Sequence, residues 1–316
     1  MKNNSESISC PGPHKTDWFH NKKWGVFNHL LGGNDPKWSD YINSLDVDLI
    51  ADQIAEINAG YLFLTVMQGG RTMLAPNVTY NKITGYKSGE ACAERDFIED
   101  IYQALNKRGI DLLLYYTGDG PYKDAQANKK FGCPYMDPQT GAPVTPLEFV
   151  RKWADVLREY SVRYGPKVKG WWIDGCYKKE LGYDEPRLDL LAGAIRSGNP
   201  DALVAFNDGC KPRVSAYSAN DDFTAGEMPD FSDLPDMRFI GDAQWHILSY
   251  LGIPPDGVPW NGWSKPGCKY TGEYMFNYIT KVHGRGGVVT IDFYMSREGV
   301  IDKNQMTALR ALKDLN

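Results

Sequence analysis

The chain is poor in the signals that mark several common chemistries. Its six cysteines (Cys10, Cys92, Cys133, Cys176, Cys210 and Cys268) are scattered, with no Cys-x-x-Cys pair and no histidine at zinc-site spacing. They read as mostly reduced, buried, small apolar residues, with one or two disulfides left open for an exported protein. The five histidines are dispersed, so no metal site is expected. There is no G-x-G-x-x-G or P-loop between a strand and a helix and no G-x-S-x-G elbow, so neither a nucleotide cofactor nor a serine nucleophile is expected. No stretch approaches the twenty or so apolar residues that span a bilayer, and no membrane partner is expected. A net charge of -5 offers no basic field for nucleic acid. Residues 1–17 are polar and show no signal peptide; the chain as written reads as cytoplasmic, or as periplasmic or secreted where a leader has been removed.

What is present is an ordinary globular composition, 42% hydrophobic and 24% charged over 316 residues, with a surplus of rings: nine Trp and nineteen Tyr. Rings fill a large core, and they also line clefts that stack on the apolar faces of sugars. Both uses fit this count.

Apolar runs of strand length alternate with amphipathic stretches of helix length along the whole chain, without a low-complexity linker. That rhythm predicts parallel strands joined by crossover helices, an α/β fold of the (β/α)8 TIM-barrel type, with residues 1–17 as a polar extension and 18–316 as one barrel. Strands are expected at 24–28, 61–66, 111–116, 169–174, 202–206, 222–227, 239–246 and 288–292, the sixth being irregular. Helices are expected at 47–58, 94–108, 146–160, 186–197, 274–283 and 303–315. Residues 117–145 and 252–272 read as long loops, of the kind that barrels enlarge over a site.

Functional side chains of such barrels stand where strands end at the C-terminal face. His29, Gln68, Tyr116, Asp174, Asn207, Asp208, Glu227, His246 and Asp292 fall there, and seven of these nine are ionisable. Alternation along the fourth strand puts Trp172 and Asp174 on one face, so a carboxylate projects beside an indole. Asp174 and Glu227, from the fourth and sixth strand ends, are placed to face each other across the mouth, which is what glycoside hydrolysis asks of two carboxyl groups. Phe223, Met228 and the charge of Asp174 should raise the pKa of Glu227 and keep it protonated as an acid.

Four motifs in order resemble the α-L-fucosidases of glycoside hydrolase family 29. Gly25-Val26-Phe27-Asn28-His29 resembles their G-I-F-I-H, and Trp172-Ile173-Asp174-Gly175 their W-x-D-G. Asp222-Phe223-Thr224-Ala225-Gly226-Glu227 resembles D-F-x-T-x-E, and the segment ending Glu298-Gly299-Val300-Ile301 the family's last strand and D-G-x-I. The resemblance implies Asp174 as nucleophile and Glu227 as acid/base of a retaining exo-glycosidase that releases a terminal α-linked deoxy-sugar, L-fucose first, from an oligosaccharide or glycoconjugate, without cofactor or metal. Where the family carries K-H-H-D-G-F, this chain has Val66-Met67-Gln68-Gly69-Gly70-Arg71, and its W-E is Trp245-His246 here. The expected sugar contacts are His29, Gln68, Arg71, Tyr116, Trp172, Asn207 and His246, with Trp38, Trp260 and Trp263 stacking from loops. A glycosidase for α-L-rhamnose or α-galactose and a non-catalytic glycan-binding barrel remain open alternatives.

Overall fold

The computed structural model describes residues 13–316 except 257, 259 and 260. Seven parallel strands form one sheet: β1 (Trp24–Asn28), β2 (Tyr61–Thr65), β3 (Asp111–Thr117), β4 (Val168–Asp174), β5 (Leu203–Phe206), β6 (His246–Tyr250) and β7 (Val288–Phe293). Their order is β6-β7-β1-β2-β3-β4-β5, the sequential order of a barrel with one gap, between β5 and β6. Most of these strands are buried along their whole length, as expected where helices cover one face and the barrel interior the other.

Residues 221–228 occupy the gap without forming a regular strand. They make two isolated bridges to β6, Phe223 to Gln244 just before it and Glu227 to Leu248 within it. On the other flank, two side chains stand beside a single backbone bond: Asp221 accepts from Phe206 N at 2.9 Å, Asp222 accepts from Val204 N at 2.9 Å, and Asp222 N donates to the Val204 carbonyl at 2.8 Å. The regular ladder therefore stays open where sequence patterning predicts an irregular sixth strand. Gly226 shows why the segment is irregular, since it has φ of +63° and a Cβ there would meet the His246 carbonyl oxygen at 2.0 Å.

The seventh expected strand is displaced. Residues Phe239–Ile240 and Ala243–Gln244 form a two-residue hairpin instead, and the sheet strand begins at His246. Gly241, at φ +60°, makes that turn. The shift moves His246 from the end of a strand to its beginning, away from the mouth.

Six helices agree with the expected stretches: α1 (Val47–Glu56), α2 (Phe97–Asn106), α3 (Leu147–Tyr164), α4 (Glu185–Arg196), α5 (Gly272–Gly284) and α6 (Lys303–Arg310). Side chains immediately before five of them satisfy exposed N–H groups: Asp46, Asp96, Asp184, Thr271 and Asp302. Short helices not expected from periodicity lie at Asp17–Asn21, Trp38–Ser44, Val78–Thr84, Ala125–Phe131 and Lys178–Leu181. The first of these closes the barrel floor. Its Phe19 is fully buried against Tyr61, Phe223 and His246, with ring centroids 5.0, 5.1 and 5.5 Å apart.

The interior is a separate cluster of rings and aliphatic groups, Phe27, Phe63, Leu113, Tyr115, Trp172 and Leu248 among them, distinct from the larger layer between sheet and helices. It is the platform on which the site rests. Of the cysteines in the described residues, Cys92, Cys133 and Cys176 are buried as expected, Cys268 is half-buried and Cys210 is exposed; all five are free thiols.

Candidate active site

A cavity of about 270 Å³ opens at the C-terminal ends of the strands. Phe27, Trp172 and Leu248 line its apolar part, while Asp174, Glu227, His29 and Gln68 supply its polar groups, and Trp263 and Ser264 border it from the loop after β6. Trp172 is fixed by Nε1 donating to the Ala225 carbonyl at 2.9 Å and by stacking on Tyr115 at 5.4 Å.

Asp174 ends β4, and its carboxylate is gripped from four sides. Tyr115 Oη donates to Oδ2 at 2.7 Å and Tyr177 Oη to Oδ1 at 3.0 Å. Asn207 Nδ2 donates to Oδ1 at 2.8 Å, and Gln68 Nε2 makes a longer contact of 3.4 Å with Oδ2. Burial and the charge of Asp174 push both phenols above their ordinary range, so they remain donors at any working pH.

The same Asn207 nitrogen also donates to Glu227 Oε2 at 2.6 Å. Its amide orientation is set by its other end, where Oδ1 accepts from Gly209 N at 3.1 Å. One NH2 group thus serves two carboxylates. The two bonded oxygens are no further apart than the two bonds laid end to end, about 5.4 Å. Burial first, and then the negative charge of Asp174, push Glu227 up to about 7 from the usual carboxylate range, against the opposing pull of Asn207. The pair is therefore divided into a bonded carboxylate and a group that holds a proton near neutrality.

His29, just past β1, is oriented by Asp292 at the end of β7, with Nδ1 2.6 Å from Oδ1. The other Asp292 oxygen accepts from Ser264 N at 2.7 Å, which ties the loop bearing Trp263 to the barrel rim. With Nδ1 occupied, Nε2 of His29 is the nitrogen left to contact a ligand. Trp263 packs edge-on to both His29 and Tyr250, at 5.8 and 4.9 Å.

Several expected contacts are elsewhere. Tyr116 is on the opposite face of β3, fully buried and stacked on Trp153 at 4.8 Å; the ring facing the cavity is Tyr115, whose register partner is Trp172. His246 lies beneath the site, fully buried, between the Thr224 carbonyl (2.8 Å) and Thr290 Oγ1 (2.7 Å), and burial pushes it down to about 4, so it is a neutral core residue. Trp38, at the start of the short helix after β1, is buried, with Nε1 donating to the carbonyl of Met73 in the segment after β2 at 2.7 Å. Arg71 turns from the cavity to Asp124 (3.9 Å) and the Tyr86 ring (5.4 Å). Gly70 explains that turn, because its Cα lies so close to the Gly33 carbonyl that a Cβ would stand 2.1 Å from the oxygen. Trp260 lies outside the described residues. Asp208, the neighbour of Asn207, accepts from Lys178 N and pairs with Lys211, both at 2.7 Å, as a loop brace.

Residues that sequence patterning did not select are Tyr115 and Tyr177 on Asp174, and Phe27, Leu31, Leu248, Asn261 and Ser264 in the cavity wall. Among the described residues no group of three or more His, Cys, Asp or Glu side chains is arranged to hold a metal ion, and no helix is long and apolar enough to cross a membrane.

No protein-family model matches the sequence, and no curated protein matches it. Solved structures do. The fold is similar to the endo-fucoidan hydrolase P5AFcnA from glycoside hydrolase family 107, with a TM-score of 0.72 and 15% identity, covering 96% of this chain and 93% of that one. It is similar to the family 107 endo-fucoidan hydrolase MfFcnA4, with a TM-score of 0.70 and 14% identity, covering 96% of this chain but 54% of the other. An α-L-fucosidase of glycoside hydrolase family 29 from Bacteroides thetaiotaomicron gives a TM-score of 0.64 and 16% identity over 100% of this chain and 76% of its own. The likeness is one of fold.

Proposed function

We propose that the protein is a retaining glycoside hydrolase that releases a terminal α-linked deoxy-sugar, L-fucose first. Asp174 attacks the anomeric carbon to form a glycosyl-enzyme; Glu227 gives its proton to the leaving oxygen and then takes one from the water that hydrolyses the intermediate. The observation that carries this reading is the single Asn207 amide bonded to both carboxylates, which brings their oxygens to within about 5.4 Å. Retaining enzymes keep the two groups about 5 to 5.5 Å apart, whereas inverting ones leave about 6.5 to 9.5 Å for a water, and an upper limit of about 5.4 Å lies below the inverting range. Two phenols on Asp174 and a Glu227 that holds a proton to about pH 7 fit the two roles.

The apolar wall of Phe27, Trp172 and Leu248 suits the methyl group of a 6-deoxy sugar, and His29, Gln68 and Asn261 suit its hydroxyls. Fold neighbours that act on fucose-containing substrates, by their names, support the same sugar. The volume of about 270 Å³ suits one ring and hence exo action. Internal cleavage of a fucan is the second reading, favoured by the endo-acting P5AFcnA, which matches this chain over most of both lengths. A monosaccharide product supports the first and oligosaccharide products the second.

A panel of aryl glycosides identifies the sugar, and proton NMR of the first-formed anomer reports retention or inversion. Asp174→Asn should lose nearly all turnover while keeping its thermal melt. Equal hydrolysis by that variant and the wild type would refute Asp174 as the nucleophile, no turnover of any glycoside by the wild type would leave a glycan-binding barrel as the better account, and an inverted first product would overturn the double displacement.

A further inference from the structure

A second cavity, of about 400 Å³, lies beside the first and is bounded by Cys210, Glu227, Met228, Pro229, Asn261 and Trp263. Three of these residues, Glu227, Asn261 and Trp263, border both cavities, whereas Asp174 borders only the first. We propose that this second cavity seats the leaving-group half of the substrate, a neutral pyranose, so that the bond to be cut spans the wall at Glu227. The inference rests on the glycosidase reading and adds to it a defined acceptor site.

The reasoning begins with the acid. A proton donor must reach the glycosidic oxygen, which belongs to both halves of the bond, so a carboxyl group that borders two cavities marks where that oxygen lies. The nucleophile must stand on the glycone side alone, as Asp174 does. Met228, Pro229 and the Trp263 ring offer apolar surface for the face of a sugar, and the Asn261 amide offers a donor and an acceptor for hydroxyls at its edge.

The wall is preformed. Met228 N is bonded to the Leu248 carbonyl at 3.0 Å, and the Pro229 carbonyl accepts from Lys269 Nζ at 3.0 Å.

Charge narrows the occupant to a neutral ring. Burial first, and then Glu227 and Asp230 against the opposing charge of Lys211, raise the pKa of the Cys210 thiol, which puts two carboxyl groups and a cation close to this cavity. Of the nearby cations, Lys211 is paired with Asp208 at 2.7 Å, and Lys269, bonded to the Pro229 carbonyl, lies over the Tyr250 ring at 4.5 Å. With Glu227 protonated, Asp230 and Lys269 bring charges of opposite sign to this wall, and neither sign is left in excess to select an ionic ring.

Cys210 makes the inference testable, because it borders the cavity and is the exposed thiol among the described cysteines. The glycone is taken from the aryl-glycoside panel, and the protein is labelled with a maleimide at mildly alkaline pH in a Cys10→Ser, Cys268→Ser background. Two substrates are compared: the glycosyl fluoride, whose leaving group needs neither a sugar site nor a proton, and a neutral disaccharide with the same glycone. Labelling should lower kcat/KM on the disaccharide by at least about tenfold and change the fluoride rate by less than about twofold. Cys210→Ser in the same background should stay at its own untreated rate after exposure to the reagent. Cys210→Trp, which fills the space without a reagent, should split the two substrates in the same way. Equal loss on both substrates, or an undiminished disaccharide rate, overturns the acceptor site. If the unlabelled protein turns over neither substrate, the failure is of the glycosidase reading itself, and the acceptor site falls with it.

Discussion

Asn207→Ala tests the coupling of the two carboxyl groups most directly. The substitution removes two charge-assisted hydrogen bonds, of 2.8 Å to Asp174 and 2.6 Å to Glu227, each worth about 1.5–3 kcal/mol to the group that accepts it. The donor favours the ionised form of Glu227 and is one of the influences holding its pKa down to about 7. Without it the protonated form gains. One pKa unit corresponds to about 1.4 kcal/mol, and water that enters the vacated space recovers part of the loss, so an upward shift of about one unit follows. The pH profile of kcat/KM reads this in the free enzyme: activity that requires protonated Glu227 is present below its pKa and lost above it, and the alkaline limb should move from near pH 7 to near pH 8. The plateau rate should fall by about ten- to a hundredfold, since both carboxyl groups lose a common anchor. Thermal melts accompany the assay, because Gly209 N also loses its acceptor. A limb that stays in place or moves to lower pH, in a protein that still folds, refutes the assignment of Glu227 as the acid and of Asn207 as its anchor.

Two paired substitutions separate cavity residues from core residues. Tyr115→Phe removes the 2.7 Å donor to Asp174 and should lower kcat by about tenfold or more, whereas Tyr116→Phe deletes a buried hydroxyl without a partner and should leave kcat unchanged with an equal or higher melting temperature. The reverse ranking in a steady-state assay would mean that β3 is set in the wrong register. Trp38→Phe loses the bond to the Met73 carbonyl and some packing, about 2 kcal/mol together, and should lower the melting temperature without altering KM; a raised KM would return Trp38 to the sugar site.

Much of the framework was legible because strands and helices alternate with clear stop signals. Residues 24–28, 47–58 and 202–206 are legible to within about two residues from apolar runs and the apolar helical stripe. Tyr115 and Tyr116 could not be told apart, since β3 reads Asp111-Leu112-Leu113-Leu114-Tyr115-Tyr116-Thr117 and is buried on both faces, leaving no alternation to read. Only its register with β4 decides which ring faces Asp174. His246 was misplaced for another reason: the apolar run after Phe239 contains a turn at Gly241-Asp242, so an apparently continuous strand is a hairpin followed by the true one. Tyr177 lies in the chain beyond Gly175, at φ +62°, and its return to Asp174 depends on a backbone bend that residue periodicity does not report. Trp38 and Trp263, both expected to stack from loops, take opposite fates because one begins a short helix and finds the Met73 carbonyl, and the other finds His29 and Tyr250.

The irregular segment between β5 and β6 has a consequence for how such a protein can change over generations. Its neighbours hold it through the side chains of Asp221 and Asp222 and through two isolated bridges rather than through a continuous ladder. A substitution at position 227 would change the side chain offered at the mouth without re-registering the seven strands, whereas an insertion or deletion would carry Gly226 away from the His246 carbonyl that only a glycine can approach so closely. The proposed proton donor is therefore carried by a segment outside the regular ladder, while Asp174, in a strand paired on both sides, is held where it is. On the proposed mechanism, lineages built on this frame can exchange acids, and with them pH preference and leaving group, while the attacking carboxylate stays in place.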